Sequence, residues 1–294
     1  MRSAPPNDLM IVHHDGALAH IPNAFAGQNI LTQEASTVLT EAGLLPTLFN
    51  TPGIANIYPD TETNHEVEFL QRIIERETKT ARILDVGCGV GRLTIPLVEH
   101  GYLVEGVDIS HKSIAALQAK FHAMSREVSL FVADVANFSA PDRYGFAFSA
   151  MNSLRYLATP ERLRNHLSCM RDSLHGGAKY LINFSVQSVG ASQVGTDSVS
   201  WETRGISYTW TTGIVDRLNH VMDEVVTIAR PHNESPVMEV QQQTWIQHDF
   251  LNALFAETGW RLQEAYEPSG RNISQSAMIP TRWLLLKNTK GETK

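Results

Sequence analysis

The sequence predicts an α/β protein built on a doubly wound, mostly parallel sheet of seven strands. Strand and helix patterns alternate from about residue 60 to the end, which is typical of parallel sheets covered by helices. A glycine-rich turn follows the first strand of that series, at residues 87–91. A long β-prone insertion at residues 185–247 interrupts the alternation and predicts an antiparallel β lid.

The first strand of the series, residues 82–86, leads into three alternating glycines, Gly87, Gly89 and Gly91. Glycine adopts backbone angles closed to other residues and lets a ligand lie directly against the main chain. The helix that follows presents free N–H groups and the positive end of its dipole. The turn is therefore predicted to bind a ligand.

Two classes of nucleoside cofactor could use this turn. Dinucleotide-binding folds use the pattern G-x-G-x-x-G, in which the third glycine lets the helix pack closely beside a pyrophosphate. Here Arg92 holds the position of that third glycine. Asp85, two residues before the first glycine, would repel a pyrophosphate but suits a ligand with a positive amine. The pattern favours a nucleoside cofactor that carries a positive amine and leaves NAD as the alternative.

The second strand, at residues 101–110, contains Asp108 near its end. This acid follows the glycines at about the 20-residue offset expected for a carboxylate that binds ribose hydroxyls. The third strand, at residues 129–134, ends in Asp134. Either acid has an alternative role as a helix cap or turn residue.

The other elements of the main domain follow from the same patterns. Gly176 and Gly177 are predicted to end a helix. The predicted helices are residues 111–122, 160–174 and 249–258, and the further strands are 146–150, 179–184, 260–267 and 282–287.

The string from Ile83 to Leu93 resembles motif I of the class I S-adenosylmethionine (SAM)-dependent methyltransferases. The resemblance covers most of the chain and implies a Rossmann-like fold that binds SAM and releases S-adenosylhomocysteine. It implies that Ile109 lies against the adenine, Asp134 near the adenine amino group, and Tyr58 over the cofactor. The cofactor-binding residues expected from it are Tyr58, Asp85, Gly87, Cys88, Gly89, Gly91, Asp108, Ile109, Asp134, Val135 and Ala150.

Composition excludes several classes of partner. The formal net charge is −7 and no run of basic residues occurs, which argues against a nucleic-acid substrate. Arg162, Arg164 and Arg171 share a helix with acids and are interpreted as a solvated face. No apolar run approaches the ~20 residues of a membrane helix. Cys88 and Cys169 do not form a disulfide framework, so a cytoplasmic protein is expected. Self-association as a homodimer stays open.

The N-terminal extension, residues 1–60, is predicted to be a helical cap on a main domain at residues 61–294. A helix is expected at residues 32–42 and an amphipathic helix at 63–77. The histidines near residues 13–20 lack the ordered spacing of a zinc motif, so no metal site is predicted.

The predicted lid is rich in aromatic residues, which supply contact area and can face a cation through the ring. Such a lid is similar to that of methyltransferases that act on amino sugars, glycine or peptide antibiotics, and it implies a small-molecule acceptor in natural-product metabolism. Packing of the lid is the alternative role for these rings. The expected substrate-binding residues are Trp201, Arg204, Tyr208 and Trp210.

The segment after the fourth strand is expected to face the reaction. Its candidate catalytic residues are Asn152, Arg155 and Tyr156. None is a strong general base at neutral pH, which favours methylation of a neutral amine over that of a hydroxyl. Methylation of oxygen or carbon, another SAM-dependent reaction and a non-catalytic SAM-binding module remain alternatives, and the acceptor itself is not determined.

Overall fold

The structure is a computed structural model, and it describes residues 9–12, 18–21, 60–78, 82–186, 198–203, 205–216, 218–229, 236–275 and 281–291. The chain divides into two compact units. We call Met1–Pro59 with Ser192–Thr244 the β unit, and Asp60–Ala191 with Trp245–Lys294 the α/β unit. The predicted domain boundaries stay a prediction.

Strands and helices are numbered in chain order. The strands are β1 Leu9–Val12, β2 Leu18–Ile21, β3 Ile83–Val86, β4 Val104–Asp108, β5 Leu130–Val132, β6 Tyr144–Ser149, β7 Leu174–Ser185, β8 Ser198–Thr203, β9 Ile206–Asp216, β10 Val221–Ala229, β11 Val237–Thr244, β12 Trp260–Tyr266, β13 Asn272–Ile273 and β14 Thr281–Asn288. The helices are α1 Asp60–Glu77, α2 Thr94–Glu99, α3 His111–Ala123, α4 Pro160–Ser173 and α5 His248–Glu257, with a 3₁₀ helix at Ser153–Leu157.

The α/β unit contains one sheet in the order β13-β12-β14-β7-β6-β3-β4-β5. The five strands from β3 to β7 pair in parallel. β14 is antiparallel to β7, β12 to β14, and β13 to β12. The doubly wound, mostly parallel sheet is confirmed, and the two-residue strand β13 adds an eighth member to the seven predicted strands.

Helices cover both faces of this sheet, as continuous apolar strands require. One buried cluster joins the sheet to α4 and α5 through Leu163, Leu167, Met170, Leu251, Leu254 and Phe255. The other joins it to α1, α2 and α3 through Val67, Leu70, Leu97, Ile114, Leu117 and Phe121. Within the described residues, no helix combines the length and apolar character needed to cross a membrane.

One boundary prediction was wrong. The glycine pair at 176–177 does not end helix α4, which stops at Ser173 and passes directly into β7. The pairing of β6 with β7 shifts register here, so that two residues of β6 span five of β7. Gly177 has φ +81° inside this bulge, a conformation that glycine adopts at no steric cost. Here the glycine marks a β-bulge instead of a helix end, because pairing with β6 begins at Leu174 and continues along β7.

The β unit contains a second sheet, in the order β2-β1-β11-β10-β9-β8. Strands β8 to β11 form an antiparallel meander, as predicted for residues 185–247. Gly205, at φ +76°, lies between β8 and β9, where a turn was expected. β1 and β2, which were not predicted, extend the sheet beyond β11. The predicted helix at 32–42 lies outside the described residues.

A buried histidine joins three parts of the α/β unit. His166 on α4 is fully buried, with Nδ1 2.9 Å from the carbonyl oxygen of Val135 and Nε2 2.9 Å from the hydroxyl of Tyr180 on β7. The neutral ring satisfies both contacts by donating to the carbonyl and accepting from the hydroxyl. Burial lowers the pKa of His166 to about 4.

This histidine predicts a loss of stability in acid. The unfolded chain binds the proton near pH 6.5 and the folded chain only near pH 4, so stability falls as the pH drops through this window. The contribution is at most about 3–4 kcal/mol. His166→Gln removes this pH dependence, measured by urea unfolding from pH 4 to 7. His122→Gln, at an exposed position on α3, is the control and should keep the pH dependence of the wild type. Equal slopes in the wild type and His166→Gln would contradict the assignment.

Candidate active site

The three glycines of the turn adopt left-handed conformations, with φ of +77° at Gly87, +52° at Gly89 and +87° at Gly91. A Cβ on Gly91 would lie 2.2 Å from Cδ1 of Leu117 on α3, so a larger residue here would require the Leu117 side chain to move. A Cβ on Gly89 would meet no atom of the described residues within 4 Å. The main chain at Gly89 therefore faces open space, as binding of a ligand against the backbone requires.

Asp108 anchors this turn to the end of β4. Its Oδ2 accepts a hydrogen bond from the Gly89 amide at 2.8 Å, and its Oδ1 accepts one from the Ser110 amide at 2.8 Å. Burial raises the pKa of Asp108, and the two amides oppose this shift. A carboxylate offers about four lone-pair positions, so each oxygen keeps room for a further donor. Ile109 beside it is 53% exposed.

Asp85 lies beneath the turn, 3% exposed. Its Oδ2 accepts a hydrogen bond from the Thr94 hydroxyl at 2.6 Å. Burial raises the pKa of Asp85 to about 7, while the Thr94 hydrogen bond and the charge of Arg92 oppose the rise. The structure therefore shows Asp85 joining β3 to the start of α2, and its predicted contact with a cofactor stays a prediction.

Arg92 connects the turn to α1. Its Nη1 is 2.5 Å from the carboxylate of Glu66 and 3.3 Å from the hydroxyl of Thr63. The ion pair is largely shielded, with 15% and 17% of the two side chains exposed. Arg92 thus occupies the position of the third glycine in the dinucleotide pattern, and its side chain binds α1, the helix that precedes the turn.

Asp134 has protein partners on both oxygens. Each oxygen lies 3.0 Å from Nη2 of Arg162, and Oδ1 also accepts from the Ala136 amide at 3.0 Å. Arg162, interpreted from the sequence as solvated, is therefore paired across to this acid, although 40% of its side chain is exposed. Asp134 fixes the chain after β5, and any contact with adenine would add to these bonds.

The chain after β6 is strained. Ala150 is buried, and the next two residues, Met151 and Asn152, have φ of +57° and +56°. Left-handed residues other than glycine cost of order 1–3 kcal/mol each and cluster at functional sites. The Asn152 amide donates to Oδ1 of Asn183 at 3.2 Å. Oδ1 of Asn152 is buried, with no hydrogen-bond partner among the described residues.

The other two candidate catalytic residues lie in the 3₁₀ helix that follows. Arg155 is 7% exposed and Tyr156 is half-buried. Ser153, at the start of this helix, packs on the glycine turn, because a Cβ on Gly87 would lie 3.0 Å from Ser153 Cβ. The structure thus brings Asn152 and the 3₁₀ helix to the carboxyl ends of β3 and β6, beside the turn.

Cys88 helps to hold the turn through its backbone amide. Val135 takes part through its carbonyl oxygen, which lies 2.9 Å from Nδ1 of His166. The Gly87 and Cys88 amides both donate to the carbonyl of Val107, at 2.8 and 3.1 Å. The thiol of Cys88 is 6% exposed and packs toward Gly106, where a Cβ would lie 2.7 Å from its sulfur. Burial raises its pKa far above the usual range, so a reactive thiolate is disfavoured.

Three predicted substrate-binding residues form one aromatic cluster in the β unit. Trp201 stacks on Trp210 at 4.7 Å between ring centroids and on Tyr208 at 5.6 Å. Tyr208 is buried, and the two tryptophans are half-buried. The fourth, Arg204, and the predicted cofactor contact Tyr58 lie outside the described residues.

Thr94 and Asn183 were missed in the sequence. Thr94 follows the glycines at the start of α2, and Asn183 interrupts the apolar run of β7. A single polar residue inside a buried strand was the available signal for Asn183, since buried polar groups take hydrogen-bond partners. Within the described ranges, no group of three metal-ligating side chains occurs.

Comparison with known proteins identifies the domain. A family model for a methyltransferase domain matches residues 83–177, from β3 into β7. A protein of Geobacillus sp. (strain WCH70) that carries a methyltransferase name is 34% identical over 87 residues, which cover 30% of this chain and 35% of the relative. The matched segments span 25–53% of the length of the curated relatives.

Solved structures share the fold over most of the chain. The CcbJ methyltransferase of Streptomyces caelestis aligns with a TM-score of 0.67 and 16% identity, covering 80% of this chain and 94% of that one. An amino pentose methyltransferase from Micromonospora echinaspora, solved with SAM bound, aligns with a TM-score of 0.61 and 15% identity, covering 84% and 98%. The predicted fold is confirmed: residues 83–177 match the model for a methyltransferase domain, and the chain has the fold of class I SAM-dependent methyltransferases.

The buried carboxyl of Asp85 gives a pH dependence opposite in sign to that of His166. Its pKa is about 7 in the folded chain and near 3.9 in the unfolded chain, so stability falls as the pH rises from 4 to 7. Asp85→Asn removes this loss. The variant gains on the wild type with rising pH, by up to about 4 kcal/mol at pH 7.

Urea unfolding without added SAM measures this difference. Glu99→Gln, at an exposed position on α2, is the control and should follow the wild type at every pH. A constant difference between Asp85→Asn and the wild type from pH 4 to 7 would show that folding does not raise the pKa of Asp85.

Proposed function

We propose that this chain is a SAM-dependent methyltransferase that transfers a methyl group to a nitrogen of a small-molecule acceptor. The observation that carries the proposal is the open glycine turn at the carboxyl ends of the parallel strands. Ligands of doubly wound sheets bind at that edge. The Asp108–Gly89 hydrogen bond fixes the turn with a carboxylate beside it.

The residues present fit a nucleoside with a sulfonium side chain. The free lone pairs of Asp108 suit the ribose hydroxyls, and exposed Ile109 suits one face of the adenine. At Gly89, the absence of a side chain leaves the backbone open to the ligand. SAM, when bound, supplies an electrophilic methyl group. The protein's part is to hold the acceptor in line with that methyl and to exclude water.

Asn152 supports nitrogen as the methylated atom. Its buried Oδ1 lacks a partner in the described structure, and an amine N–H can donate to it. Such a bond orients the nitrogen lone pair toward the methyl at the 3–3.5 Å or so of an attacking geometry. Arg155 and Tyr156 beside it are not strong bases at neutral pH, so the acceptor nitrogen is expected to react as the neutral amine.

A small acceptor from natural-product metabolism is the proposed substrate class. The half-buried Trp201 and Trp210 are kept as proposed contacts with a sugar, ring or cation of the acceptor, and the buried Tyr208 supports them by stacking on Trp201. The similar structure from Micromonospora echinaspora is an amino pentose methyltransferase. We keep Arg204 and Tyr58 as proposed contacts with substrate and cofactor. Cytoplasmic location and self-association stay predictions.

Oxygen methylation is the second candidate. A similar segment occurs in a ubiquinone biosynthesis O-methyltransferase from Pelagibacter ubique (strain HTCC1062), 36% identical over 63 residues, 21% of this chain and 25% of that relative. A hydroxyl acceptor would need a base to remove its proton. Methylation of carbon, another SAM-dependent reaction and a module that binds SAM without catalysis complete the alternatives.

Two measurements test the proposal. Calorimetric titration with SAM, S-adenosylhomocysteine and NADH separates the cofactor classes, and binding of NADH without SAM would overturn it. A panel of amino sugars, amino acids and aromatic amines, each with its hydroxyl analogue, is then incubated with methyl-labelled SAM. A mass gain of one methylene on amines supports nitrogen methylation. A gain on the hydroxyl analogues alone supports oxygen, and no gain on any member favours the non-catalytic module.

Asp108→Ala should weaken binding of S-adenosylhomocysteine by about 10- to 100-fold. The change removes the hydrogen bonds of a charged group, worth about 1.5–3 kcal/mol, and releases the Gly89 amide. Asp142→Ala is the matched control, because Asp142 is exposed and pairs with Arg82 away from the turn. Affinity for S-adenosylhomocysteine that is unchanged in Asp108→Ala would show that this carboxylate does not contact the cofactor.

A further inference from the structure

The conformation of the chain between β6 and the 3₁₀ helix needs support from outside the loop. Met151 and Asn152 are consecutive left-handed residues. Asparagine tolerates this conformation better than most residues, but an unbranched apolar residue such as methionine rarely adopts it. Strained backbone of this kind persists only where surrounding contacts over-determine it.

Asn183 supplies one such contact from the neighbouring strand. Ser149 at the end of β6 pairs with Ile182 of β7, so Asn183 lies one residue beyond the last pair. Its Oδ1 accepts the hydrogen bond of the Asn152 amide at 3.2 Å, and the residue is 6% exposed. From the other side, the Ser153 amide and hydroxyl both bind the Ala150 carbonyl, at 3.1 and 2.8 Å.

This loop touches the glycine turn. The space where Gly87 would carry a Cβ is bounded by Ser153 Cβ at 3.0 Å and Ser153 Oγ at 3.2 Å. Any rotation of the Met151–Asn152 backbone therefore moves Ser153 against or away from Gly87. The same rotation redirects the buried Oδ1 of Asn152, which has no hydrogen-bond partner in the described part of the chain.

We propose that Asn183 is a positioning residue. Its side-chain oxygen holds the Asn152 backbone in the left-handed conformation, sets Ser153 against the glycine turn and aims the Asn152 carboxamide. Asn183 acts through Asn152 and Ser153. The expected effect on cofactor binding rests on the proposed function. The positioning of the Asn152 backbone by Asn183 rests on the backbone geometry alone.

The test compares three variants in the full-length chain. Asn183→Leu keeps the number and branching of the side-chain heavy atoms and removes the acceptor, while Asn183→Asp keeps an acceptor oxygen. Ile182→Val is the matched control, since its side chain belongs to the opposite, apolar face of the sheet. Hydrogen exchange of the Asn152 amide is followed by NMR, and the affinity for S-adenosylhomocysteine by calorimetry. The urea concentration at the midpoint of unfolding reports the stability of each variant.

We expect slow exchange of the Asn152 amide in the wild type, Asn183→Asp and Ile182→Val, and at least about tenfold faster exchange in Asn183→Leu. Affinity for S-adenosylhomocysteine falls about five- to tenfold in Asn183→Leu, as loss of one hydrogen bond implies, and is restored in Asn183→Asp. For an amine that the wild type methylates, kcat falls in Asn183→Leu more than KM changes.

Two outcomes would overturn the inference. The first is free exchange of the Asn152 amide in the wild type, a reading that does not depend on the folding of any variant. The second is an Asn183→Leu variant whose affinity and Asn152 exchange match those of Ile182→Val. If the wild type binds no S-adenosylhomocysteine while its Asn152 amide is protected and Asn183→Leu loses that protection, the proposed function fails and the positioning by Asn183 stands.

Discussion

The hydrogen bond from the Gly89 amide to the Asp108 carboxylate is the constraint on which the site depends. It ties the glycine turn after β3 to the end of β4, and each carboxylate oxygen keeps room for a further donor. A turn of three left-handed glycines has many accessible conformations, so a ligand would otherwise have to order it at the expense of affinity. One acid therefore serves both the protein backbone and the proposed nucleoside.

A second layer of polar contacts beneath the turn makes this arrangement rigid. Asp85 joins β3 to α2 through Thr94, and Arg92 joins the turn to Glu66 on α1. Asn183 adds a contact from β7 to the loop after β6. Each of these groups is largely buried, so breaking one contact leaves its partner without solvent to replace it. The polar groups around the turn thus position one another and leave few free to act as general bases.

Two buried ionisable residues, Asp85 and His166, have pKa shifts of opposite sign. Burial favours the neutral form of both Asp85 and His166, and it raises the pKa of the acid while lowering that of the base. Their effects on stability oppose each other between about pH 4 and 6.5, near the unperturbed and shifted values. In this range His166 binds its proton mainly in the unfolded chain and Asp85 mainly in the folded chain, so the two pH dependences have opposite sign.

The sequence by itself determined the parallel sheet, the glycine turn with Asp85 and Asp108, and the antiparallel meander, because periodicity and glycine spacing are local properties. Tertiary structure decided the partners. It paired Asp134 with Arg162, placed Gly177 in a bulge, stacked Trp201 on Trp210 and set Asn183 under Asn152. These contacts join residues distant in sequence or strands whose register is fixed only by packing, and no local pattern encodes such distances.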